Sequence, residues 1–177
     1  MERVGITLER EGEALENLLF KLMETKLLLD ADEARFLPRA TREVERARNR
    51  ARELDLLRAA TVSQTSSYRT LRELASSASG PWPAILRDHH DVLSRLVDEI
   101  EVVAHHNSRA ARVGLEALTR EPVAVGAAPG PGGSGVGGIG RPVRDAELDR
   151  LARGAALEAV LGTAARLRMP DLIDFLR

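Results

Sequence analysis

A run of apolar residues at an unbroken spacing of seven, Leu8, Leu15, Leu22, Leu29 and Phe36, constrains this chain more than any other feature of it. Seven residues make two helical turns, so such a repeat keeps one stripe facing a neighbouring helix and predicts coiled-coil-like packing. Thr7 is expected to cap the start of this helix, and Pro38 to end or kink it by disfavouring helical geometry at Leu37. The spacing returns at Leu86, Leu93, Ile100 and Asn107, with Leu96, Val97, Val103, Ala104, Ala111 and Leu118 beside it. A long helix from Pro83 to about Arg120 follows, on the order of 50 Å at 1.5 Å per residue. Between the two, Ala40, Val44, Ala47, Ala51, Leu54 and Leu57 predict a helix from about Thr41 to Ser63. Its short link to the first helix makes the pair antiparallel neighbours or one bent rod. A shorter amphipathic piece holding Leu71 and Leu74 sits between stretches rich in Ser, Gly and Pro.

Aromatic residues are 3% of the chain, so its core must be built from Leu, Val, Ile and Ala. Such cores suit helix seams better than pleated sheets, which favour β-branched and aromatic side chains. The expected fold is therefore all-α: long antiparallel coiled-coil-like helices forming an elongated bundle, plus a C-terminal helix after a flexible Gly/Pro linker. The stretch Pro122 to Pro142 carries that linker, with eight Gly, four Pro and a single charge, Arg141. It cannot bury apolar area and should behave as a tether reaching about 25 Å. Three regions result: a helical body over 1–121, the linker over 122–142, and a C-terminal helical region over 143–177.

Several function classes drop out. Lys and Arg total 26 against 27 Asp and Glu, so no bulk charge draws the chain to nucleic acid or to an anionic membrane. There is no cysteine, which removes disulfides, thiolate nucleophiles and Cys-type metal sites. The N-terminus lacks the apolar stretch of a secretory signal, and no segment approaches the ~18 consecutive apolar residues of a membrane span. A cytoplasmic location without membrane insertion is the expectation. No nucleophile elbow, phosphate loop or paired carboxylate cleft is present, so neither enzymatic activity nor a cofactor is expected.

The histidines come as His89-His90 and His105-His106, sixteen residues apart on one helix, roughly 24 Å. The pairs cannot share an ion, and no metal site is expected. Arg39, Arg42, Arg46 and Arg50 form a basic stripe that could meet nucleic-acid phosphates, but intervening Glu43, Glu45 and Glu53 favour ion pairing and solubility. Asn107 stands where the repeat expects an apolar residue. Either it is buried and fixes helix register, or the seam has already opened to water there.

The C-terminal region departs most from pattern. Leu148, Leu151, Ala152 and Ala155 mark one face, whereas Leu157, Val160, Leu161, Ala164 and Leu167 lie on the opposite side. A helix apolar all round must be covered on more than one side. The body can supply one cover; the other side points either to a partner helix or to simple burial or self-association. After a break at Met169-Pro170, Leu172, Ile173 and Leu176 form a further apolar face with Asp171 and Asp174 turned away.

Several segments resemble a known family. Ala14-Leu15-Glu16-Asn17-Leu18-Leu19-Phe20-Lys21-Leu22 with Leu27-Leu28-Leu29, then Ala40 to Glu45 and Leu54 to Arg58, are similar to the paired N-terminal helices of FlgN-type flagellar export chaperones. Pro81-Trp82 with Ile85-Leu86, then Leu93 to Glu101 and Asn107, resemble the family's third helix. The ending Pro170-Asp171-Leu172-Ile173-Asp174-Phe175-Leu176-Arg177 resembles that of actinobacterial-like members, as does a chain with 24 Arg and two Lys. The long linker departs from the family's compact pattern. The resemblance implies a cytoplasmic chaperone that binds hook-associated (hook–filament junction) proteins, prevents their premature assembly and hands them to the type III export apparatus. It places client binding on Leu148, Leu151, Ala155, Leu157, Val160, Leu161, Ala164 and Leu167, and on Leu172, Ile173, Phe175 and Leu176. A monomer or weak dimer is expected. The alternative is a structural coiled-coil protein that self-associates through the same stripes.

Overall fold

The computed structural model describes residues 1–65, 67, 70–120 and 141–177, with side chains from Asp145 onward in the last of these. Every regular element among the described residues is helical, without strands: α1 (Glu2–Asp30), a 3-10 turn (Ala34–Phe36), α2 (Leu37–Thr65), α3 (Leu71–Ser77), α4 (Trp82–Arg120), α5 (Arg141–Ala165) and α6 (Pro170–Leu176). The all-α bundle expected from the heptads is what forms. The tether expected over 122–142 lies outside the described residues, apart from Arg141 and Pro142, which begin α5.

The heptads position the core. Leu8, Leu15 and Leu22 of α1 are at most 2% exposed, as are Leu86, Leu93 and Ile100 of α4. These seams face each other in parallel. A Cβ on Gly5 would lie 3.1 Å from the Trp82 ring, Asn107 donates from Nδ2 to the Leu22 carbonyl at 2.9 Å, and His106 reaches Asp30 at 3.3 Å. Asn107 is buried, so of its two readings the register-fixing one holds at this seam. α2 returns antiparallel along α1, tied to it by Lys21–Glu43 at 2.9 Å.

Three sequence expectations are corrected here. Thr7 does not cap α1, because the helix already starts at Glu2. Its hydroxyl instead bonds back to the Arg3 carbonyl at 2.8 Å, one turn earlier. The heptad does not run on to Phe36: α1 stops at Asp30, and the chain reverses through Asp32 at a positive φ of 56°. Leu29 is therefore half-buried and Phe36 is exposed. Leu37 adopts right-handed helical geometry, and Pro38 occupies the first turn of α2, where a missing N–H costs nothing.

The last two helices complete the bundle. α5 packs on α4 and on α2, and α6 packs on α4 and α3. α5 runs antiparallel to α4, since Leu157 lies against Gly114 and Leu118 against Gly154. It runs alongside α2 in the same direction, as the Arg153–Asp32 and Arg166–Glu45 pairs show. α1 and α5 thus lie across from each other, with α2 and α4 between them. α3 starts with a capping box, Thr70 and Glu73 each bonding the other's backbone N–H.

Candidate partner-binding surface

α5 is built to meet two surroundings. On its inner face Ala156, Leu157, Val160 and Thr163 are buried, and the first three form with Leu37 and Ala111 a second apolar cluster separate from the main core. Gly114 makes this possible: the heptad of α4 arrives there after Asn107, and Leu157 fills the place of the missing side chain. A Cβ at Gly114 would stand 2.9 Å from Leu157 Cδ1. Polar contacts then frame the helix. Arg150 donates to the Leu118 carbonyl, Arg153 pairs with Asp32, and Arg48 Nε donates to the Arg166 carbonyl at 2.8 Å.

The outer face of α5 is bare. Leu148 is 63% and Leu151 64% exposed, and Ala152, Ala155 and Ala159 are exposed beside them. A groove runs between this face and α2, lined by Arg42, Glu45, Arg46, Ala155, Ala159 and Gly162 among others.

The candidate client-binding residues therefore divide. Leu148, Leu151 and Ala155 stand in water. Leu161, Ala164 and Ile173 are half-buried. Leu157, Val160, Leu167, Leu172, Phe175 and Leu176 are buried against the chain's own body. For these six the expectation of surplus, uncovered apolar surface is corrected: α1, α2, α3 and α4 leave a trough that the α5–α6 side chains fill. Leu167, Leu172, Phe175 and Leu176 join the main core directly.

How α6 is held was not foreseen. Arg58 is 3% exposed and Glu11 1%, facing each other from α2 and α1 with Arg58 Nε 3.0 Å from Glu11 Oε2 and 3.2 Å from Oε1. Asp55 also pairs with the Arg58 guanidinium. The Phe175 ring lies over that guanidinium at 4.1 Å, and His90 Nε2 meets the Leu176 carbonyl at 3.0 Å. The last helix is thus docked on a buried cation as well as on apolar surface. The signal was present in the spacing. Glu11 falls between Leu8 and Leu15 on the buried stripe of α1, and Arg58 follows Ala51 and Leu54 at steps of three and four. Leu57, assigned to that stripe for its hydropathy, is instead 46% exposed.

Burial pushes the Glu11 carboxyl up from about 4.5 to about 7, because losing water outweighs what Arg58 returns. The folded state then binds a proton that the unfolded chain has already released between those values. This contribution to stability is complete below pH 4.5 and is lost as pH rises through 7. A rise in the urea midpoint from pH 8 to pH 5 is expected in wild type, and Glu11→Gln should flatten it.

The basic stripe of α2 does not act as a unit. Arg39 pairs with Glu43 at 3.0 Å and Arg50 with Glu53 at 3.1 Å, whereas Arg42 and Arg46 border the α5 groove. Among the described residues no group of three or more metal-ligating side chains comes together, and no helix is long and apolar enough to cross a membrane. A bare strip missed as a candidate surface lies on α1, where Phe20, Met23 and Leu27 are 58%, 41% and 62% exposed. No family model matches the chain, and neither a curated protein nor a solved structure matches it.

Proposed function

We propose that this chain is a cytoplasmic export chaperone of the FlgN type, which holds the terminal amphipathic helices of hook-associated flagellar proteins and delivers them to the export apparatus. The observation that carries the reading is α5: one helix apolar on two faces, with the inner face covered by its own bundle and the outer face open at Leu148, Leu151 and Ala155. A client helix laid along that outer face needs no chemistry from the chaperone. Covering apolar area contributes roughly 25 cal/mol per Å², and ordering a disordered client segment costs a few kcal/mol. Binding is then moderate and reversible, as handing over a cargo requires. The segments similar to FlgN-type chaperones support the flagellar assignment, and Arg42 and Arg46 beside the groove favour a client helix with an acidic flank.

The test is titration of a labelled terminal segment of a hook-associated protein into wild type and into the Leu148→Glu/Leu151→Glu variant. Both positions are exposed, so the variant should keep its circular dichroism and melting point while binding falls at least about tenfold. Undiminished binding by a folded variant would remove the outer face of α5 from the mechanism.

A further inference from the structure

The bare face of α5 is complementary to itself. Leu148, Leu151, Ala155, Ala159 and Gly162 fall within about 80° of arc at 100° per residue, with the two leucines at one end and the smallest residues at the other. A second copy laid antiparallel about a two-fold axis through Ala155 brings Leu148 opposite Gly162 and Leu151 opposite Ala159. Large side chains then meet small ones along the whole stripe, the knob-and-hole condition for close helix pairing.

The charges obey the same symmetry. Arg42 and Arg46, exposed on α2, flank the C-terminal half of the stripe and have no carboxylate partner among the described residues. Asp145 and Asp149, also exposed, lie toward the α2 side at the N-terminal half by helix periodicity. The rotation carries the second copy's Asp149 to the level of Leu161 and its Asp145 to the level of Ala165, where Arg42 and Arg46 stand. Each copy offers an acidic and a basic end, and antiparallel pairing satisfies both twice.

We propose that the free chain pairs with a second copy of itself through the outer face of α5, antiparallel about Ala155. Two leucines and a few alanines per copy bury far less than the roughly 1,200–2,000 Å² of a stable complex, so the pair is weak and reversible. Such a pair shields Leu148 and Leu151 from water until another helix takes the face. The inference does not depend on the export reading, and its test needs the purified chain alone.

The chain has no cysteine, so Ala155→Cys supplies a single thiol on the proposed axis. Val102→Cys, 69% exposed on α4, is the control. In a glutathione redox buffer the first should form an intermolecular disulfide at least about tenfold more than the second at equal concentration. In sedimentation equilibrium of the cysteine-free chain, Arg42→Asp or Asp149→Arg should each raise the dimer Kd about tenfold, and the double variant should restore it. Equal cross-linking at both positions, a monomer at every concentration, or a double variant no better than the singles would overturn the proposal. A wild-type chain that dimerises in this way yet binds no terminal segment of a hook-associated protein would count against the export reading alone.

Discussion

Replacing Arg58 by alanine is expected to cost about 3–5 kcal/mol at pH 8, among the largest effects of any single change in this chain. The Arg58 guanidinium is the counter-charge of a carboxylate 1% exposed, the partner of Asp55 and the platform under Phe175. Its removal leaves Glu11 charged and uncompensated inside the bundle, and takes from α6 the ring contact that seats it. The cost should shrink toward pH 5, since Glu11 then takes up a proton instead of remaining an orphaned anion. Urea unfolding of wild type and Arg58→Ala at both pH values measures this. Equal destabilisation at the two would mean that Glu11 is not the group left stranded. A Glu11→Met/Arg58→Leu double variant should be close to neutral, because buried ion pairs replaced by apolar side chains of similar volume commonly are.

Shortening Leu157 to alanine should destabilise the fold by about 3 kcal/mol, through lost transfer energy and the cavity left above Gly114. Leu157 is the side chain that enters the notch in α4, so the loss should concentrate on α5. Hydrogen exchange should quicken along α5 while the α1–α4 seam keeps its protection. Gly114→Leu should act from the other side, since its side chain would compete for the volume Leu157 occupies. Uniform loss of protection across all helices would show that α5 is no separate cooperative layer.

The bundle was legible because its longest seams are written as heptads. Leu8, Leu15 and Leu22 on one helix and Leu86, Leu93 and Ile100 on another bury as the spacing predicts. The ends were less legible. Backbone conformation at Asp32 decides where α1 stops, and hydropathy at Leu29 and Phe36 does not register a reversal two residues past Asp30. Periodicity also showed that α5 is apolar all round. It could not say which face the body takes, because that depends on a glycine on a different helix: Gly114 receives Leu157. The docking of α6 was hidden for a different reason. Charged residues are read as surface by default, and Glu11 and Arg58 bury only because each supplies the other's counter-charge.

On the proposed function, α5 has one face sealed by its own bundle and one face left for another helix. Hydrogen–deuterium exchange with side-chain footprinting of the free chain, and of the chain saturated with a terminal segment of a hook-associated protein, tests this most directly. Slow exchange along the α5 backbone is expected in both states, with Leu148, Leu151 and Ala155 modified in the free chain, diluted below the Kd of self-pairing, and shielded in the complex. Unprotected α5 amides in the free chain, or shielding that falls on Phe20, Met23 and Leu27 of α1 while Leu148 and Leu151 stay reactive, would contradict it.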